Sequence, residues 1–213
     1  MPEKNLEARL QRIEDIRAIK NLVASYSYYY AAGMYDNLIA LFACKTPKAQ
    51  ITISNWGTWR ESAGIKRYYA FMKERAGDRK GLLSQHCFTV PVIEVAGDGE
   101  TATSLWVVPG VAAAAHCGDT SPTAVWNWAK VGIVFVREDG EWKILRFHLY
   151  ELVQFPFEGG MIDVTPPPKP DIPEQYLPDI PDTKDYQYSK QSGPVYIPIP
   201  PAPYEHYVED ETY

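Results

Sequence analysis

Two side chains of this sequence can move a proton and stabilise a departing oxygen. His86 directly precedes a strongly apolar segment, and an imidazole with its ordinary pKa of about 6.5 can accept a proton and return it within one cycle. Tyr30 ends an aromatic run, and a phenol in a pocket can donate a hydrogen bond to a leaving hydroxyl or polarise a carbonyl. Tyr26, one helical turn earlier, is expected to line the same wall. In the structural alternative, His86 is a hydrogen-bonded core histidine and the tyrosines form a buried aromatic face.

A further polar group lies on the last predicted strand of the body. Arg146, His148 and Tyr150 alternate along it, so their side chains share one face. If this is the inner face, Arg146 and His148 join the catalytic group and Tyr150 contacts the substrate. Which face points inward is ambiguous, because the apolar residues Trp142 and Ile144 fall on the same face as these polar residues. In the alternative, the intervening apolar residues form the core.

Aromatic and amide side chains supply candidates for substrate binding. Trp106 and Trp128, on neighbouring predicted strands, can form a flat wall for an aromatic ligand, although tryptophans in strands also serve as core or oligomer contacts. Asn127 can hydrogen-bond a ligand hydroxyl. Trp56 precedes Gly57 in a predicted loop and is expected to gate the entrance.

Hydrophobic periodicity predicts the elements that must position these residues. Apolar residues at three- and four-residue steps indicate helices, and alternating or β-branched runs indicate strands. The predicted helices cover residues 6–32, 35–43 and 61–75, and the predicted strands cover 49–54, 86–95, 101–114, 123–137 and 141–152. Helices followed by a meander of long antiparallel strands imply an α+β fold in which the helices pack on one curved sheet.

Composition excludes several classes of function. The 213 residues carry a net charge of −6 without a basic tract, so nucleic acid is not an expected partner. No apolar run approaches the ~18 residues of a membrane span. Three widely spaced cysteines and a polar start without a secretory signal favour a reducing cytoplasm. The cluster of His116, Cys117 and Asp119 is too short and local to close a zinc site, so no metal is expected.

The composition changes near residue 154. Residues 154–213 contain 13 of the 18 prolines and have a net charge of −8, whereas residues 1–153 have a net charge of +2 and all six tryptophans. We predict a domain over 1–153 and an extended proline-rich arm over 154–213. A disordered linker is the alternative. Apolar residues throughout the arm favour packing on its own domain or on a neighbouring subunit of a homodimer or homotrimer.

Several segments resemble SnoaL-like proteins of the nuclear transport factor 2-like superfamily. They are IEDIRAIK at 13–20, YAAGMYDNL at 30–38, LF at 41–42, SQH at 84–86, VIEV at 92–95, GETAT at 99–103 and REDGEWKI at 137–144. The resemblance covers roughly residues 6–152. It implies a cone-shaped α+β barrel, in which helices close a bent sheet around an apolar pocket.

The resemblance also implies a chemistry. Scytalone dehydratase-like and bile-acid dehydratase-like members are cofactor-free lyases that pair a tyrosine with a histidine, and Tyr30 and His86 match these positions. Where scytalone dehydratase-like sequences place an aspartate directly after the tyrosine, this chain has Ala31. Relatives that process lignin-derived diaryl compounds release formaldehyde instead of water.

These observations predict a cofactor-independent lyase for a hydrophobic, aromatic, hydroxylated small molecule. The reaction is dehydration, or loss of formaldehyde from a diaryl diol. Two alternatives stay open, because one fold hosts many functions. One is an isomerase or cyclase, which would need an acidic residue in the pocket. The other is a non-catalytic ligand carrier or a subunit like the small subunit of ring-hydroxylating dioxygenases.

Overall fold

Three helices and seven strands form the described part of the body of the chain. A computed structural model describes residues 6–78, 80–114, 123–158, 160–161, 170–181, 187–191, 193, 197–209 and 213. In chain order the elements are α1 (Leu6–Ala32), α2 (Tyr35–Ala40), β1 (Gln50–Ile53), β2 (Gly57–Arg60), α3 (Glu61–Ala76), β3 (Leu83–His86), β4 (Thr89–Val95), β5 (Thr101–Ala114), β6 (Thr123–Glu138) and β7 (Glu141–Pro156). Among the described residues, no helix has both the length and the apolar character needed to cross a membrane.

The strands form one unclosed sheet in the order β2-β1-β7-β6-β5-β3, with β4 also pairing with β5. Neighbouring strands are antiparallel except for β1 and β7, which run parallel. The helices precede the long strands, and α1 and α3 pack on the sheet. The predicted α+β class, with a curved sheet packed by N-terminal helices, is confirmed.

The predicted strand over 86–95 is divided into two. β3 pairs with β5 up to the partners His86 and Gly110, and β4 resumes the same register at Thr89 and Val107 before a register shift between Thr89 and Val92. Cys87 connects them by donating its backbone N–H to the carbonyl of Pro109. His86 therefore ends a short edge strand instead of opening a long one.

One extra residue in β7 decides which face of that strand meets the core. Phe135 pairs with Ile144, but the preceding residue of β6, Val134, pairs with Arg146, so Leu145 is a β-bulge. A bulge moves the residues beyond it to the opposite face. As a result both Ile144, before the bulge, and Phe147, after it, are buried in the core.

A buried carboxylate ties α1 to the β6–β7 hairpin. Asp15 is 5% exposed, and its Oδ1 accepts hydrogen bonds from Arg137 Nη2 at 2.5 Å and Trp142 Nε1 at 3.1 Å. The Arg137 guanidinium also lies over the Trp142 ring, 4.6 Å from its centroid. This network therefore links α1 to both strands of the hairpin through one carboxylate oxygen.

Several described segments of the arm pack on the body of the same chain. Thr58 exchanges backbone hydrogen bonds with Ile180, and Asp179 accepts hydrogen bonds from the Arg60 N–H and the Arg67 guanidinium. At the end of the chain, the ring of Tyr213 lies over Gly132 of β6, where a Cβ would come within 2.4 Å of it. Glycines of the body therefore make room for arm residues at several points.

Further predictions about the arm are not tested by these contacts. β7 continues to Pro156, three residues past the predicted boundary at 153, and the division into a domain and an arm stays a prediction. The same holds for a homodimer or homotrimer in which the arm contacts a neighbour, and for a cytoplasmic location.

We predict that Asp15→Asn lowers the free energy of unfolding by about 3 kcal/mol, because it removes the buried charge that pairs with Arg137. Urea denaturation measures this. Asp36→Asn, at an exposed position, is the control and should change stability by less than about 0.5 kcal/mol. Equal stability of the two variants would show that the Asp15 network does not hold α1 in place.

Candidate functional site

His86 is positioned by the close approach of its ring to a glycine. Its Cα is paired with that of Gly110 on β5, and a Cβ on Gly110 would lie 2.9 Å from Cδ2 of the imidazole. From the other side, the hydroxyl of Ser27 on α1 donates a 2.5 Å hydrogen bond to the His86 carbonyl. The imidazole is thus held between α1 and bare backbone of the sheet.

Tyr30 meets His86 inside the cone. The two ring centroids lie 5.5 Å apart at an interplanar angle of 79°, an edge-to-face contact. Tyr26 stacks beside Tyr30 with centroids 6.3 Å apart, and its hydroxyl accepts a 3.1 Å hydrogen bond from the Tyr69 hydroxyl. The structure therefore brings together the three residues of α1 and β3 that the sequence singled out.

The imidazole is held in its neutral form. Burial lowers the pKa of His86 from 6.5 to about 4, so at neutral pH the ring carries a lone pair. Ser84 Oγ lies 3.5 Å from Nδ1, at the limit of a hydrogen bond, and its role depends on the tautomer. Burial also raises the pKa of Tyr26 far above its usual value, which keeps that phenol a hydrogen-bond donor.

Further aromatic rings pack around Tyr26, the residue that stacks beside Tyr30. Phe88 lies edge-on to Tyr26, Trp106 and Phe147, with centroids 5.8, 6.0 and 6.4 Å away. Trp106 is buried, and its indole N–H donates to Ser104 Oγ at 2.7 Å. Trp106 therefore lies among these rings with its polar N–H occupied within its own strand, and its role as a wall for an aromatic ligand stays a prediction.

An amide and a carboxylate extend the site across the sheet. Asn127 on β6 pairs with Gly110 from the side opposite His86. It is 7% exposed, and its Nδ2 donates a 3.1 Å hydrogen bond to Glu151 Oε2. Among the described residues, no group donates a hydrogen bond to its Oδ1. The Asn127 carbonyl oxygen is therefore a buried acceptor on β6, the strand next to Gly110, on which the His86 imidazole packs.

Glu151 was not singled out from the sequence. A second bulge, where Trp128 pairs with Val153 and Ala129 with Glu151, shifts β7 again. On β6, Ala129 alternates with Asn127 and Val131, so Glu151 shares their inner face. The only sequence signal is the general one that a carboxylate within an apolar strand needs a polar partner.

Arg146, His148 and Tyr150 do not join Tyr30 and His86. They alternate with Phe147, whose ring stacks on Tyr26 at 4.8 Å, so they face the outside of the sheet. Arg146 donates to the Glu209 carboxylate at 2.6 Å, and the His148 and Tyr150 rings stack at 3.8 Å. The bulge at Leu145 is the physical reason why the inner-face interpretation fails for these three residues.

The two other tryptophans predicted to bind substrate, Trp56 and Trp128, lie apart from Tyr30 and His86. Trp128 is 46% exposed and alternates with Asn127, which places it on the outer face. Trp56 packs edge-on against Phe71 with centroids 6.4 Å apart, and the Arg75 guanidinium lies 5.6 Å from its ring centroid.

Two grooves on the outside of the body are separate from this site. One of about 370 Å³ is lined by α2 and α3, including Tyr35 and Lys66. The other, about 350 Å³, runs from α2 to the β6–β7 turn. Tyr30 and His86 line neither groove.

The described residues contain no group of three or more metal-ligating side chains. The segment with His116, Cys117 and Asp119, for which no metal role was expected, lies outside the described residues.

Comparisons with known proteins agree with this architecture. A model of the SnoaL-like domain matches residues 11–148, which is more than half of the chain. No curated protein matches significantly.

Solved structures similar to this chain share its fold at low sequence identity. A candidate scytalone dehydratase from Novosphingobium aromaticivorans is 17% identical with a TM-score of 0.56, covering 71% of this chain and 93% of its own. Hexachlorocyclohexane dehydrochlorinase LinA-type3 from Novosphingobium barchaimii is 17% identical with a TM-score of 0.57, and the match covers 75% of this chain and 99% of the dehydrochlorinase. A candidate dehydratase of the NTF2-like family from Streptomyces avermitilis is 15% identical with a TM-score of 0.55, and the match covers 66% of this chain and 98% of the candidate dehydratase.

We predict that Gly110→Ala lowers the free energy of unfolding by about 1–3 kcal/mol, because the added methyl group overlaps the imidazole and the Gln85 carbonyl. Urea denaturation measures the loss. Gly160→Ala, where a Cβ meets open space, is the matched control. If the two variants are equally stable, His86 does not pack on Gly110.

Proposed function

The chain belongs to the SnoaL-like domain family, and from that premise we propose that it is a cofactor-independent lyase for a hydrophobic, aromatic, hydroxylated small molecule. The observation that carries this proposal is the contact between the neutral imidazole of His86 and the phenol of Tyr30. The similar structures named as a dehydrochlorinase and as candidate dehydratases agree with elimination chemistry.

In dehydration, His86 acts as the base. Its neutral ring takes a proton from the carbon next to the one that bears the hydroxyl, and the electrons of that C–H bond form the double bond. The C–O bond breaks as Tyr30 donates a hydrogen bond to the departing oxygen. The imidazolium then returns its proton to that oxygen, so water leaves and both side chains regain their starting state.

In the second outcome, His86 takes the proton of a primary alcohol. The O–H electrons form the carbonyl of formaldehyde as the carbon–carbon bond breaks, and the imidazolium returns the proton to the remaining carbon. No redox partner is needed in either reaction. The apolar rings around the site favour a substrate with an aromatic face next to its hydroxyl.

Ala31, in place of the aspartate of scytalone dehydratase-like sequences, agrees with the low pKa of His86. A carboxylate beside an imidazole stabilises its protonated form, whereas the dominant effect here is burial. The ring is positioned by packing on Gly110 and by Ser84 near Nδ1.

Two alternatives each have one observation in their favour. Glu151 on the inner face supplies the acidic group that an isomerase or cyclase would need. The direct contact of the Tyr30 and His86 rings favours a non-catalytic protein, because a substrate must separate them or approach from the side of Asn127.

We predict that His86→Gln and Tyr30→Phe each lower kcat/KM by about 10²-fold or more, because each removes a group that acts on the transferred proton or the departing oxygen. The assay is a panel of phenolic diols, with released formaldehyde measured by trapping and dehydration by the absorbance of the new double bond.

Matched controls test the specificity of the loss. Tyr28→Phe alters an exposed tyrosine of the same helix, and His206→Gln alters an exposed histidine. Both should keep full activity. Turnover that survives in both His86→Gln and Tyr30→Phe would contradict the proposed lyase.

A further inference from the structure

We infer that Glu151, together with Gln187 of the arm, positions the amide of Asn127 so that its carbonyl oxygen binds a hydroxyl group of the ligand. The inference deepens the proposed function and depends on it only in taking the space beside His86 as the ligand site. Glu151 and Gln187 are positioning residues, and Asn127 is the group that contacts the ligand.

The location follows from the pairing of the strands. Gly110 pairs with His86 on one side and with Asn127 on the other, and neighbouring strands lie about 4.8 Å apart. Because Gly110 has no side chain, nothing from β5 stands between the imidazole and the amide. A ligand group that approaches the imidazole from the side of Asn127 therefore meets both side chains.

The carboxylate fixes which way the amide points. An ionised carboxylate only accepts hydrogen bonds, so the amide must turn its Nδ2 to Glu151. Oδ1 then points away from Glu151, and among the described residues it has no donor. Since Asn127 is 93% buried (7% exposed), this acceptor requires a donor from the ligand to offset its lost hydration.

The arm supplies the second contact that holds the carboxylate. Gln187 Nε2 donates a 2.8 Å hydrogen bond to Glu151 Oε1, and the next residue, Tyr188, donates its backbone N–H to the Leu152 carbonyl. Glu151 is therefore bonded by Asn127 on one oxygen and by the arm on the other. Glu151 thus accepts hydrogen bonds from both Gln187 and Asn127. These two bonds hold the Asn127 amide with its Nδ2 toward Glu151 and its Oδ1 away from it.

This arrangement selects hydroxylated ligands over their methyl ethers. A hydroxyl donates to Oδ1, whereas a methoxy group of similar shape leaves the buried oxygen without a donor. An aromatic ligand with a free hydroxyl should bind at least about tenfold more tightly than its O-methyl counterpart.

The test compares the binding of 4-hydroxybiphenyl and 4-methoxybiphenyl by tryptophan fluorescence at neutral pH. The wild type should prefer the hydroxylated probe by at least about tenfold. Asn127→Ala should abolish the preference. Glu151→Gln should reduce it to about twofold or less, because a glutamine can offer an oxygen to only one of the two amide donors. Glu151→Asp, which keeps an acceptor-only group, should restore part of it.

Controls separate positioning from general damage. Gln187→Ala should weaken the preference, while Gln191→Ala in the same arm segment and Glu158→Gln after β7, both at exposed positions, should keep it. A preference unchanged in Glu151→Gln or Gln187→Ala would overturn the inference, as would a wild type that binds both probes equally. Should Glu151→Gln fail to fold, the Glu151→Asp and Gln187→Ala results decide.

The binding readout does not depend on turnover. A hydroxyl preference that depends on Glu151, found without lyase activity, would support this inference and count against the proposed function. Lyase activity that depends on His86, found without any hydroxyl preference, would do the reverse.

Discussion

The contact on which the site depends is the packing of the His86 imidazole between the phenol of Tyr30 and the bare backbone of Gly110. It joins α1 to the edge of the sheet, and burial is the cause of the shifted pKa of the ring. Because burial dominates there, the imidazole stays neutral well below its ordinary pKa. A neutral base among aromatic rings is suited to moving a proton on an apolar molecule, and each further feature of the site is arranged around this ring.

Two bulges in β7 distribute the polar groups of the last strand between the faces of the sheet. The bulge at Leu145 sends Arg146 outward to the arm, and the shift after Glu151 leaves that carboxylate inside, next to Asn127. The arm then contacts both faces, through Glu209 on the outside and through Gln187 at the inner carboxylate. The proline-rich segment is therefore part of the surroundings of the site, in addition to covering the body.

Much of the architecture follows from patterns in the sequence. Apolar spacing indicates α1 and the long strands β5 to β7, and the resemblance to a known family selects Tyr30 and His86, which the fold brings into contact. Which residues of β7 face inward cannot be predicted this way. The alternation rule assumes unbroken strand pairing, and a bulge leaves no clear signal in residue types. Glu151 and Gln187 depend on that same parity and on contacts between distant segments, so sequence reasoning missed both.

The most direct test of the account is an NMR titration of the histidine Cε1–H resonances, with His86 assigned by comparison with His86→Gln. We expect the pKa of His86 to be about 4 in the folded protein, because burial disfavours the charged form of the ring. A titration near the ordinary value of about 6.5 would mean that the imidazole is solvated, and would contradict a buried neutral base at the centre of the site.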